Sequence, residues 1–209
     1  MEPGFDQKRS QALIIFVKNP VPGKVKTRLA KSIGNEKAAE VYVFLLDHTR
    51  AITGRLTNTQ CFVYYDDAID ERDLWSNAFY RQRLQLGQDL GERMRNAFAD
   101  CFQAGFSSVV VIGSDCPEIQ TRHLRQAFQL LGSVETVIGP AFDGGYYLLG
   151  MNSLCADLFT DIAWSTADVL AQTRQKLAQL GLSLGLLETL SDVDDEKDYQ
   201  AMKSRFERR

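Results

Sequence analysis

Two short runs constrain this chain most. Residues 12–17 (ALIIFV) and 108–112 (SVVVI) are apolar at nearly every position and lack the alternation of a strand with one wet face. Runs of this length and β-branched character read as strands covered on both sides, which is how strands of parallel sheets are buried.

The segments around them alternate in type. Asn35 reads as an N-cap, and Ala39, Val41, Tyr42, Leu45, Leu46 and Ile52 follow at helical spacing. Further strands are expected at 60–65, 83–86, 136–139, 146–149 and 183–187. Helices are expected at 70–78, 89–104, from a Thr121 cap to Leu131, at 167–180 and at 196–206. Strands alternating with helices predict an α/β fold whose mostly parallel sheet is covered on both faces. No Pro, Gly and Ser-rich linker interrupts the chain. The expected organisation is therefore a disordered tail over 1–11 and a single domain over 12–209. Ligands of such sheets bind beyond the carboxyl ends of the strands, here the loops after Val17, Ile112 and Leu187.

The formal net charge of -3 argues against a broad nucleic-acid footprint, although a small anion needs only a local basic site. No apolar run approaches the roughly 20 residues that span a bilayer, and the first residues lack the apolar core of a secretory signal. A cytoplasmic location is the expectation. Cys61, Cys101, Cys116 and Cys155 lack CxxC spacing and read as reduced, mostly buried thiols.

The loop KNPVPGKVKTRLA carries Lys18, Lys24, Lys26 and Arg28 with no acid before Glu36. Pro20, Pro22 and Gly23 stiffen and turn it, so that backbone amides, Thr27 and the cations can surround a phosphate. Arg28 can fork onto phosphate oxygens, and the lysines act as point charges. Neither GxxxxGK[ST] nor GxGxxG is present, which argues against an ATPase of the Walker type or a dinucleotide enzyme.

Acids fall at other strand ends. VVVIGSDCPE puts Ser114 and Asp115 just past the 108–112 strand, with Pro117 placed to start the next helix. A carboxylate beside a polyphosphate makes sense when a divalent cation lies between them, and Mg2+ prefers one or two carboxylates plus phosphate oxygens. SDVDDEKDY supplies Asp192, Asp194, Asp195 and Glu196. Asp194 is the ligand candidate, while Asp195 and Glu196 suit a helix start. In GPAFDGGYYLLG, Gly144 and Gly145 permit a sharp turn, and Asp143 is either part of that turn or a general base toward an acceptor.

Together these segments, with QLGQDLGERMRNAF and IAWST, resemble the nucleotide-diphospho-sugar transferase superfamily of glycosyltransferase A-type fold. Within it they are most similar to the small bacterial family of arsenosugar-biosynthesis-type glycosyltransferases, over about residues 12–199. The resemblance implies a three-layer α/β/α sandwich with a mixed central sheet, a nucleoside phosphate at the first-strand loop, and Mg2+ or Mn2+ on Asp115 and Asp194. The metal positions are those of guanylyl- and cytidylyl-transferases, although Asp195-Glu196-Lys197 replaces their Thr-Pro-Glu and the GGxGTR loop of sugar pyrophosphorylases is absent.

The resemblance also places Gln88 and Asp89 near sugar or base. It puts Gly144, Gly145, Tyr146, Trp164, Ser165 and Thr166 on the acceptor side, the Tyr146–Tyr147 pair being divided between crevice and core. The expected activity is metal-dependent glycosyl transfer from a nucleoside diphosphate sugar to a small acceptor. Lys26 and Arg28 would stabilise the leaving phosphates, and Asp143 would take the acceptor proton. Nucleotidyl transfer from a nucleoside triphosphate uses the same groups and is the close alternative. A nucleotide-binding module without turnover is the alternative from another class.

Overall fold

The computed structural model describes residues 10–206. Its strands are β1 (Gln11–Val17), β2 (Thr59–Tyr65), β3 (Tyr80–Leu84), β4 (Ser108–Ile112), β5 (Thr136–Pro140), β6 (Tyr146–Met151) and β7 (Leu184–Leu186). They form one sheet in the order β3-β2-β1-β4-β6-β5-β7. β6 alone runs antiparallel to its neighbours β4 and β5; the remaining pairs are parallel. The two apolar runs, as β1 and β4, lie at the centre, paired from Gln11 with Ser108 to Ile15 with Ile112.

Alternate residues of β1 enter opposite cores. Leu13, Ile15 and Val17 join a cluster with α1 (Thr27–Ile33), α2 (Asn35–Thr53), α4 (Thr121–Leu130) and α6 (Glu196–Phe206). Ala12 and Ile14 join a second cluster with α3 (Leu90–Gln103), a 3-10 turn at Ala156–Phe159 and α5 (Val169–Gln179). The result is an α/β/α sandwich, which explains why these strands carry no polar face.

Several local expectations are corrected. No helix forms over 70–78, because the Asp70 and Asp73 side chains accept the amides of Arg72 and Trp75 and fold the segment into turns around buried Trp75. A helix not foreseen, α1, begins inside the basic loop, with Lys26 as its N-cap; Gly34, not Asn35, separates it from α2. Pro117 does not start α4. The N-cap there is Gln120, whose amide donates to His123 Nδ1, while Thr121 is the first helical residue and its hydroxyl donates to the Ile52 carbonyl. At the other end, the expected tail over 1–11 is too long, since Gln11 is already in β1 and the Ser10 carbonyl accepts from Ser107. Residues 1–9 of that expectation lie outside the described residues.

β1 and β4 lie side by side and parallel, but the chain leaves β1 toward β2 and leaves β4 toward β5 and β6. Loops diverging from adjacent strand ends open a crevice there.

Candidate active site

Tyr42 of α2 ties the two diverging loops together at the floor of that crevice. Its ring is buried, and its hydroxyl accepts the Lys18 amide at 2.8 Å and pairs with Ser114 Oγ at 2.8 Å. Burial, and then the nearby Asp115 carboxylate, hold its phenol well above the usual tyrosine range. In sequence Tyr42 is only one apolar position of a helical stripe. Nothing in the local pattern distinguishes it from a core residue.

The acidic segment after β7 is drawn to the same place by hydrogen bonds to the 115–118 segment. The Val193 amide donates to the Asp115 carbonyl at 3.1 Å, the Ser191 amide to Glu118 at 2.8 Å, and Cys116 Sγ to the Ser191 carbonyl at 3.4 Å. This brings Asp194 toward Asp115, and the Lys26 ammonium lies between them. It is ion-paired with Asp115 Oδ1 and 3.7 Å from Asp194 Oδ1, and the Arg28 guanidinium is 3.9 Å from Asp194 Oδ2. Asp195 instead accepts the Asp198 amide at 3.0 Å and caps α6.

The cations of the basic loop are therefore not unopposed, as the local sequence suggested. Their partners come from distant segments, and Lys24 is turned aside onto Asp67 at 3.2 Å. Pro22 and Gly23 are exposed, and with Lys24 they stand outside the two cavities that make up the crevice.

The first cavity, about 500 Å³, runs between the ends of β1 and β4 and the start of α3. Lys18, Asp66, Gln85, Gln88, Asp89, Arg93, Ser114 and Tyr146 are among its walls. Asp89 caps α3 by accepting the Glu92 amide at 2.8 Å, so its carboxylate already has a structural task. Gln85 donates to the carbonyls of Val17 and Tyr64, holding the ends of β1 and β2. Tyr146 and Tyr147 both line the first cavity; the Tyr147 hydroxyl donates to the Glu188 carbonyl, and Tyr146, whose hydroxyl is buried, also borders the second cavity.

The second cavity, about 730 Å³, is bounded by Lys26, Thr27, Arg28, Asp115, Asp143, Gly145, Trp164, Ser165, Thr166 and Asp194. Asp143 uses Oδ1 to accept the Gly145 amide at 2.9 Å, closing the turn between β5 and β6. Gly144, at φ 89°, lies against the chain before α5. A Cβ there would fall 2.1 Å from the Ala167 carbonyl oxygen, so the hairpin tip and the 165–167 segment meet backbone to backbone. The Trp164 side chain lies against the Gly91 backbone of α3, where a Cβ would reach within 2.2 Å of the indole nitrogen.

Asp192, which has no assigned role in the sequence pattern, borders both cavities. Its Oδ1 is buried without a hydrogen-bond partner, and its carboxyl is pushed up to about 7. Burial is the main cause, followed by the carboxylates of Asp115, Asp143 and Asp194, with Lys26 acting in the opposite direction. The signal available in sequence was only its place two residues before Asp194.

Among the described residues, no group of three or more His, Cys, Asp and Glu side chains is assembled as a ready metal cage. Asp115 and Asp194 nevertheless fit a divalent ion. They are 43% and 46% exposed, they open on the crevice, and they already flank a cation, the Lys26 ammonium. Two carboxylates completed by phosphate oxygens and water are the set Mg2+ accepts.

The sandwich, with a basic first-strand loop facing carboxylates across its switch point, defines a nucleotide-linked transferase of the nucleotide-diphospho-sugar transferase fold. The chain belongs to the DUF2064 family, described as an uncharacterized protein conserved in bacteria, whose model matches residues 49–166. It is similar to a protein from Desulfovibrio desulfuricans G20 assigned as a nucleotide-diphospho-sugar transferase, at 35% identity and a TM-score of 0.86, over 93% of this chain and 87% of that one. More distantly it shares the fold of a CMP:2-keto-3-deoxy-manno-octonic acid synthetase complexed with CTP, at 11% identity and a TM-score of 0.60, over 95% and 99% of the chains. It likewise shares that of glucosyl-3-phosphoglycerate synthase from Mycobacterium tuberculosis in complex with Mn2+, UDP and glucosyl-3-phosphoglycerate, at 12% identity and a TM-score of 0.55, over 98% and 82%. No curated protein matches the chain. No helix among the described residues is long and apolar enough to cross a membrane.

Proposed function

We propose that the protein transfers a glycosyl group from a nucleoside diphosphate sugar to a small acceptor, with Mg2+ or Mn2+ at Asp115 and Asp194. The observation that carries this reading is the convergence of Lys26 and Arg28 with those two carboxylates on the wall of the second cavity. The first cavity, walled by Lys18, Gln88, Asp89 and Ser114, receives the nucleoside. The second holds the sugar and the acceptor, between Lys26, Asp143 and the Trp164, Ser165 and Thr166 segment.

When bound, the divalent ion supplies Lewis-acid stabilisation of the leaving diphosphate. Lys26 and Arg28 neutralise the same oxygens as the bond from the anomeric carbon to the diphosphate breaks, with Thr27 at the start of α1 beside them. The acceptor oxygen forms the new bond to that carbon, and its proton passes to Asp143, which borders the second cavity with the basic residues. Trp164 supplies an apolar wall suited to a sugar face. Gly144 and Gly145 keep the hairpin tip close enough for Asp143 to reach the acceptor.

A thermal-shift panel of nucleotide sugars and nucleoside triphosphates, with and without Mg2+, tests the binding half of this reading. Product analysis tests the reaction, since glycosyl transfer releases a nucleoside diphosphate and nucleotidyl transfer releases pyrophosphate. Stabilisation without either product would mark a binding module. A panel in which no nucleotide stabilises the protein, and in which Lys26→Ala and Asp115→Asn change nothing, would refute the transferase reading.

A further inference from the structure

Lys24, Lys26 and Arg28 of the basic loop are not equivalent. Lys24 and Arg28 extend into solvent, their side chains 65% and 76% exposed, whereas that of Lys26 is 4% exposed. Lys26 is also the N-cap of α1, held at φ 47° and ψ 44°, in the left-handed region that a residue with a Cβ rarely occupies. This backbone turn sets an inward-directed ammonium in contact with Asp115, 3.7 Å from Asp194, and 6.0 Å from the centre of the Tyr42 ring. A solvated phosphate-gripping lysine needs none of this enclosure. The ammonium is instead surrounded as a bound cation would be.

We infer that Lys26 occupies the divalent-cation position of the ligand-free protein, so that the metal binds tightly only after the ammonium has moved from Asp115 and Asp194 to the nucleotide phosphates. This rests on the reading of Asp115 and Asp194 as the metal-holding carboxylates. A divalent ion and an ammonium cannot share two carboxylates closely, because each raises the energy of the other at such separations. The lysine keeps the carboxylates compensated while the site is empty. An arriving polyphosphate offers the ammonium a second anionic partner, and the vacated carboxylates then receive the ion that the phosphate brings. Metal and nucleotide binding are thereby coupled through one flexible side chain. The same exchange would disfavour capture of metal ions in the absence of nucleotide.

The test is Mn2+ binding to the full chain without nucleotide, measured by the electron paramagnetic resonance signal of free Mn2+. Lys26→Met removes the competing charge and keeps most of the side-chain volume, and it is expected to bind Mn2+ at least about ten-fold more tightly than the wild type. Lys24→Met, which releases only Asp67, is expected to match the wild type. Adding Asp115→Asn to Lys26→Met is expected to abolish the gain. If Lys26→Met does not fold, as judged by its thermal melt, Lys26→Gln carries the same comparison with a neutral polar side chain.

Equal Mn2+ affinity in the wild type and the Lys26 variant overturns the inference. A parallel arm with nucleoside diphosphates then separates the two readings. Equal affinities together with Mn2+-dependent nucleotide binding by the wild type leave the proposed function standing. Failure of every form to take up Mn2+, with or without nucleotide, removes both the inference and the metal-dependent reading beneath it.

Discussion

Removing one oxygen atom from Tyr42 should weaken both the fold and the nucleotide grip. In Tyr42→Phe the ring still fills its place in the core, so no cavity opens, and the effect comes from the two 2.8 Å hydrogen bonds to the Lys18 amide and Ser114 Oγ. Ser114 is buried, and stranding its hydroxyl should cost about 1–3 kcal/mol. The Lys18 amide is only part-buried and can recruit water, so its loss adds roughly 0.5–1 kcal/mol. The expected destabilisation is about 2–3 kcal/mol in urea unfolding followed by circular dichroism.

Ser114→Ala leaves the bond to Lys18 intact and should cost only about 1 kcal/mol. The double variant should be more stable than Tyr42→Phe alone, because taking away both partners leaves no orphaned hydroxyl. Nucleotide affinity by calorimetry should fall several-fold in Tyr42→Phe, since the Lys18 backbone loses its tether. A Tyr42→Phe protein within about 0.5 kcal/mol of the wild type, or a double variant less stable than the single one, would refute the reasoning.

Other outcomes follow from the same geometry. Gly144→Ala combines an unfavourable φ with a clash against the Ala167 carbonyl; about 3 kcal/mol of stability should be lost in urea melts, with the acceptor KM raised because the hairpin and the 165–167 segment separate. Asp194→Asn should lower kcat/KM in the transfer assay by about 10²-fold or more, whereas Asp195→Ala, which removes only the α6 cap, should cost about 1 kcal/mol in stability and leave Mn2+ binding unchanged. His123 is fully buried. Its ring is held below the usual histidine range by that burial and by Arg122, against the opposing effect of Glu188. The folded protein therefore binds this proton less readily than the unfolded chain, and the stability the neutral ring contributes is present above pH 6.5 and lost as pH falls below it. Thermal melts between pH 7.5 and pH 5 should show a steeper acid loss in the wild type than in His123→Gln, the protonation equilibria of the two differing at that residue.

The sequence by itself determined the class of fold, because a strand buried on both faces must be apolar throughout and a helix packed on one side must repeat its apolar positions every three to four residues. Residues 12–17 and 108–112 state the first condition, and the stripe from Ala39 to Ile52 the second. It also placed Asp115 just past the end of β4, and Lys26 and Arg28 in the segment that follows β1. Turn chemistry was harder to read: Asp70 and Asp73 lie in a segment with helical composition, and only their capture of neighbouring amides decides against the helix.

Tertiary structure decided the rest. The reversed direction of β6, the enclosure of Lys26 by Asp115 and Asp194, the bridge made by Tyr42 and the buried carboxyl of Asp192 all depend on which distant segments the sheet brings together. A residue's neighbours along the chain fix its local conformation. Its charge partners and its access to water are set by packing, and for Lys26 these convert one of four loop cations into the buried counter-ion of the site.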